Sequence, residues 1–232
     1  FSRFFFSRAM FPPAQILKKI DLFEYTDMQR ARKLIADLIA TYRKMKNEGV
    51  VAIYQKERFD EYANFARIGN GSLGGKGRGL AFLDRMIKRV RENEVEHADL
   101  LHIPKTLVLC TDIFDEFMET NEMYGVAMSD ISDDEMLTHF LRGRLPHRLL
   151  ADLEVFIDVV KSPLAIRSSS LLEDSHYQPF AGIYSTYMIP YDEDKYCRLE
   201  MLANAIKGVY ASVYFRGSKD YMTATSNVID QE

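Results

Sequence analysis

The chain has 232 residues, a net charge of −4, 47% hydrophobic residues and 28% charged residues. That apolar content suffices for a buried core, and the acidic balance excludes an electrostatic surface for nucleic acid. Two cysteines far apart in sequence, Cys110 and Cys197, exclude a disulfide-framed scaffold and point to inert, reduced thiols in a cytoplasmic protein.

The N-terminal run FSRFFFSRAMFPP is broken by Arg3 and Arg8. It is too short and too interrupted for a membrane span or a signal peptide. It reads as a helix or linker leading in from an upstream domain of a longer chain, and residues 1–60 are assigned to that lead-in. Within it, residues 27–48 place Leu34, Leu38, Ile39, Tyr42 and Met45 at helical spacing, with Thr26 or Asp27 as N-cap and Gly49 as terminator. Residues 50–54 form a short β-branched run. The preamble EYANFARI scatters Glu, Asn and Arg through its length and reads as a poor parallel strand.

After a glycine-rich loop, Leu80, Leu83, Met86, Ile87 and Val90 mark an amphipathic helix. TLVLC (106–110) is a buried-strand pattern, with Thr111 or Asp112 expected to cap the following helix through Phe114, Phe117 and Met118. Ser132 and Glu135 form a capping box, and Gly143 and Pro146 separate that helix from one over 147–160. PLAIRSSS and 182–190 read as strands, and a last helix spans about 192–215. The whole is a mixed α/β chain without repeats or low-complexity tracts.

Residues 69–79 hold six glycines around Lys76. A Walker A loop requires Gly at position 70 and Ser or Thr at 77, where this chain has Asn70 and Gly77, so that template fails. The dinucleotide pattern G-x-G-x-x-G is met by Gly69, Gly71 and Gly74, and Glu92 stands where a ribose-binding acid is sought. The poor strand ahead of the loop counts against it, and the lysine has no part in that template. A solvated surface loop is the plain alternative. Against it stand glycines that let backbone amides converge on an anion, a lysine charge, and a helix starting immediately after.

A second motif, PLAIRSSSLLEDSHYQPFAGIYSTY (163–187), delivers Arg167 from a strand into a hydroxyl-rich turn containing Ser168, Ser169 and Ser170. A guanidinium at a strand end suits phosphate oxygens. It equally suits a structural ion pair with Glu173 or Asp174.

These motifs together resemble the nucleotide-binding region of the phosphoenolpyruvate synthase and pyruvate, phosphate dikinase family: GGKG at 74–77, AIRSS at 165–169, Glu173-Asp174, and FAG at 180–182, in that order. IPKTLVLCTDIFDEFME (103–119) and GVYASVYFRGSKDYM (208–222) add to the likeness, which covers about residues 66–230. The resemblance implies the small lobe of an ATP-grasp domain over residues 61–232, with the second lobe and its magnesium ligands elsewhere. It implies ATP and Mg2+ as cofactors. Lys76 and Arg167 would contact the phosphates, with Gly74, Gly75, Gly77, Ser168, Ser169, Ser170, Glu173, Asp174, Ala181 and Gly182 around them.

The family passes the ATP β-phosphoryl group to a histidine on another domain and then to pyruvate. The expected partners are therefore a phosphohistidine domain and a phosphoenolpyruvate/pyruvate domain of the same longer chain; neither membrane nor nucleic acid is expected, and an oligomer is left open. His97, His102, His139, His147 and His176 lack the threonine-flanked setting of the family's phosphorylated histidine, and Asp230 and Glu232 read as a solvated tail rather than metal ligands. The same ATP chemistry with a different acceptor, such as a glucan or a small molecule, and a non-catalytic nucleotide sensor are the competing readings.

Overall fold

The computed structural model describes residues 2–20, 28–47, 50–54, 63–93, 97, 100–170 and 182–224. Three helices come first: α1 (Ser2–Ser7), α2 (Phe11–Lys19) and α3 (Met28–Asn47). They share a small apolar cluster in which Phe5, Ala14 and Leu17 are buried against Met10, Ile35, Leu38 and Ile39. Pro12 and Pro13 stand at the start of α2, where the amides they lack would have had no helical partner. The caps proposed for α3 and its terminating Gly49 fall outside the described residues.

A parallel three-stranded sheet follows, with strand order β1 (Ala52–Ile53), β2 (Phe65–Ile68), β3 (Thr106–Leu109). Ala66 pairs with Ala52 on one side and Leu107 on the other, so β2 is the central strand. This overturns the reading of EYANFARI as a poor strand. Asn64 lies just outside β2, and Arg67 turns its guanidinium back onto the carbonyl of Gly69 at 2.6 Å. Phe65, Ala66 and Ile68 remain buried. Four residues suffice for a strand that neighbours pair on both edges.

The crossover from β2 to β3 runs through α4 (Gly74–Glu92), the helix-linked connection that parallel strands require. Its expected apolar face is only partly covered: Leu83 and Met86 are exposed, as is Phe82, while Asp84 is buried.

The main core lies under α5 (Thr111–Thr120), α6 (Met123–Ala127), α7 (Asp133–Arg142), α8 (His147–Val159) and α9 (Lys195–Ser212). Ile113, Phe117, Phe140 and Leu149 have no solvent exposure, and each such side chain contributes about 1.5–3 kcal/mol. The capping box of α7 forms as expected: Glu135 N donates to Ser132 Oγ, and Ser132 N donates to Glu135 Oε2. The second sheet is an antiparallel pair, β4 (Leu164–Ile166) with β5 (Tyr187–Ile189). The expected strand over 182–190 is thus limited to its last third. Gly182 has a left-handed backbone (φ +82°), and buried Tyr184 packs against Met222 instead of pairing.

Helix α9 packs on α7, α8 and both strands of this second sheet. It buries residues around its whole circumference, including Leu202, Ala205, Ile206 and Val209. Two of its cations are buried too. Arg198 donates to the carbonyls of Ile157 (2.9 Å) and Val160 (2.5 Å), closing the C-terminal end of α8. Lys207 donates to Leu141 O at 2.6 Å, closing α7. The helix expected over about 192–215 is α9, and a separate helix, α10 (Arg216–Ala224), follows it beyond that range, with the Ser212 carbonyl accepting from Ser218 Oγ.

Candidate functional site

The glycine loop leaves β2 and enters α4 across residues 69–77, beside the ends of β3 and β4. Gly74, Gly75, Lys76 and Gly77 form the first turn of α4. Gly74 adopts φ +69°, and a Cβ there would stand 1.4 Å from the carbonyl oxygen of Ser169. Only glycine allows that approach.

The approach serves a set of bonds. Gly75 N donates to Ser169 O at 2.9 Å and Gly77 N donates to Ser169 Oγ at 2.8 Å. The Ser169 hydroxyl in turn donates to Leu73 O at 2.7 Å. A single residue, three positions past the end of β4, therefore clasps the start of α4 across more than ninety residues of sequence. The spacing suggests Ser169 as a donor to phosphate, but here its hydroxyl holds the loop.

The other arm of the loop is tied to the start of α5. Asn70 N and Gly71 N donate to the two oxygens of Asp112, at 2.9 and 3.0 Å. Ser72 N donates to Thr111 Oγ1 at 3.0 Å, while Thr111 N returns a bond to Ser72 O. Thr111 and Asp112 were expected to cap their own helix. Neither does: Cys110 takes the N-cap position of α5 with no side-chain bond, and both polar side chains serve the neighbouring loop instead. Partial burial pushes the Asp112 carboxyl upward, but the amides of Asn70, Gly71 and Asp112 itself, with Arg148 nearby, outweigh it and hold it below its ordinary value.

Cys110 is buried beneath the loop, 4.0 Å from Arg67, and burial pushes its thiol up against the opposing effect of that guanidinium. Both cysteines are free.

These bonds correct the idea of an amide cradle. Asn70, Gly71, Ser72, Gly74, Gly75 and Gly77 all direct their amides at acceptors of this chain. At Gly71 and Gly74 the missing side chain lets backbone pack closely on neighbouring atoms. Lys76, half-buried, lies between two residues bonded to Ser169. Arg167, exposed at the end of β4, lies two residues before Ser169, at most about 7 Å of extended backbone away. The clasp thus brings a lysine segment and an arginine segment together at the positive end of a nineteen-residue helix.

Ser168 and Ser170 are half-buried beside the clasp, and Gly182 is exposed in the turn before β5. Glu173, Asp174, His176, Phe180, Ala181, Asp230 and Glu232 lie outside the described residues. Among the described residues, no three His, Cys, Asp or Glu side chains group as metal ligands, and no helix is long and apolar enough to cross a membrane. Asp112, Thr111 and Arg67 are the site residues that sequence reasoning missed. The available signal was a Thr-Asp pair directly after a parallel strand, which can serve a neighbouring loop as readily as its own helix.

Neither a curated protein nor a solved structure matches the chain. Residues 70–230 match the family described as pyruvate phosphate dikinase, AMP/ATP-binding domain. The matched span covers well over half of the chain and takes in both the glycine loop and the Ser169 clasp, and on that ground the chain belongs to the pyruvate phosphate dikinase AMP/ATP-binding domain family.

Proposed function

We propose that this chain is the small lobe of an ATP-grasp domain whose Lys76 and Arg167 hold the phosphates of ATP, in an enzyme that passes the β-phosphoryl group to a histidine on another domain and then to pyruvate. The observation that carries the reading is the Ser169 clasp, which joins the GGKG and AIRSS segments at one helix end. Two cations on rigid elements suit phosphoryl transfer, where catalysis rests on positioning and charge stabilisation rather than on covalent work by the protein. Lys76 supplies a point charge and Arg167 a planar fork, both suited to phosphate oxygens.

In this reading Ser168, Ser170, Glu173, Asp174, Ala181 and Gly182 belong to a loop near the phosphates, and Ser169 fixes where that loop starts. Magnesium would screen the polyphosphate when bound, held by ligands of a second lobe. Residues 1–60 are the lead-in, entering the domain at β1, whose pairing with β2 makes it part of the sheet.

Direct titration with Mg-ATP tests the two cations. Lys76→Ala and Arg167→Ala are each expected to weaken ATP binding about 10- to 100-fold, the scale of one charged hydrogen bond, without loss of folded structure. Wild-type affinity in either variant removes that residue from the site.

A further inference from the structure

The Asp112 carboxylate is bonded to the glycine loop, and both of its oxygens are committed to it. A loop meant for phosphate gains nothing electrostatically from an adjacent negative charge. The position must repay this in geometry, and the packing shows how. A Cβ on Gly71 would stand 2.5 Å from Thr111 Oγ1 and 2.7 Å from the backbone nitrogen of Asp112, and one on Gly69 would stand 2.3 Å from Asp112 Oδ1. The loop is therefore pressed onto the start of α5 along its first arm, as its second arm is pressed onto Ser169. Lys76 follows five residues after Gly71, on the far side of the Gly74 turn.

Resting on the phosphate-site reading above, we propose that Asp112 is a positioning residue for ATP: with Thr111 it fixes the first arm of the loop before nucleotide arrives, so that binding does not have to order the segment carrying Lys76. It touches neither substrate nor reacting atoms. Ordering removed from the binding step appears directly as affinity, because a site populated only part of the time binds more weakly by that fraction.

The chemistry of the pair of bonds sets the test. Asparagine at 112 keeps one accepting oxygen and places an NH2 against a backbone N–H, losing one bond; alanine loses both. Thr111→Val removes the acceptor for Ser72 N at nearly constant shape. In the full chain without nucleotide, hydrogen exchange at the amides of Asn70 and Gly71 is expected to accelerate in Asp112→Asn and further in Asp112→Ala. Exchange at Ser72 is expected to accelerate in Thr111→Val. Mg-ATP and adenosine are then titrated against each folded variant.

The ratio of ATP to adenosine affinity is expected to fall about tenfold in Asp112→Asn, more in Asp112→Ala and less in Thr111→Val. Unchanged exchange overturns the clamp. Faster exchange with an unchanged ratio, including the case where both ligands weaken together, makes the clamp purely structural and overturns the positioning role. If Asp112→Ala does not fold, Asp112→Asn and Thr111→Val decide. Wild-type protein that shows slow exchange but binds no ATP overturns the phosphate-site reading, and the positioning role with it, while leaving the clamp itself established.

Discussion

Gly74 has no room for a side chain. Its left-handed backbone and the 1.4 Å separation between an added Cβ and the Ser169 carbonyl make Gly74→Ala a backbone displacement rather than a small cavity filling. The expected cost is about 2–4 kcal/mol, read as a lowered midpoint in urea unfolding. Asp112 makes a second prediction, in pH. Its carboxyl titrates below its ordinary value in the folded protein, so its contribution to stability is full above pH about 4 and is lost as pH falls through the lower folded-state value. The stability gap between wild type and Asp112→Asn should therefore close in acid. A gap that stays constant from pH 7 to pH 3 would show that the charge of Asp112 has no part in it. At this scale the sequence singled out two motifs, and the fold bonds Gly75 and Gly77 of the first to Ser169 of the second. The sequence could not show that the glycine amides are already bonded, because Ser169, Thr111 and Asp112 approach them through tertiary structure alone.

Among the elements, α9 is the one on which α7, α8, β4 and β5 close. Arg198 and Lys207 carry buried charge to the open carbonyl ends of α8 and α7, where a cation is favourable. Arg198 also stacks on Tyr191, with its guanidinium 4.7 Å from the ring centroid. Replacing Arg198 by Met keeps the packing volume but strands two carbonyls, and about 2–4 kcal/mol of stability should be lost. Lys207→Met should cost less, about 1 kcal/mol, because burial already disfavours the charged amine there and lowers its pKa. Equal effects from the two variants in chemical unfolding would contradict this ranking.

Most helices were legible from spacing and caps, as the Ser132–Glu135 box shows. The strands were harder. β2 has only four residues, one of them Arg67, and is a strand because β1 and β3 pair with it, whereas 182–186 has a strand-like pattern but lies outside both sheets, with Gly182 in a left-handed turn and Ser185 N donating to Ser212 Oγ.

At the scale of the whole molecule, the described residues hold one large apolar cluster, the small one of α1 to α3, and a third where Tyr184 meets Met222. The cluster shared by α1 to α3 has Phe5, Ala14 and Leu17 as its buried members, against twenty-two buried residues in the main cluster. Local opening tracks the amount of buried apolar contact. Backbone amides of α2 should exchange well before those of α5, α7 and α9, and a common exchange rate would mean that the clusters unfold as one. β1, at residues 52–53, pairs with β2 and so belongs to the sheet of the main body.

The most direct measurement of the central claim is made with the full native protein, Mg2+ and ATP labelled at the β-phosphate. Release of AMP and an acid-labile label on the protein are expected, both lost in Lys76→Ala and Arg167→Ala. Formation of ADP without label, or labelling that survives both substitutions, would contradict that claim.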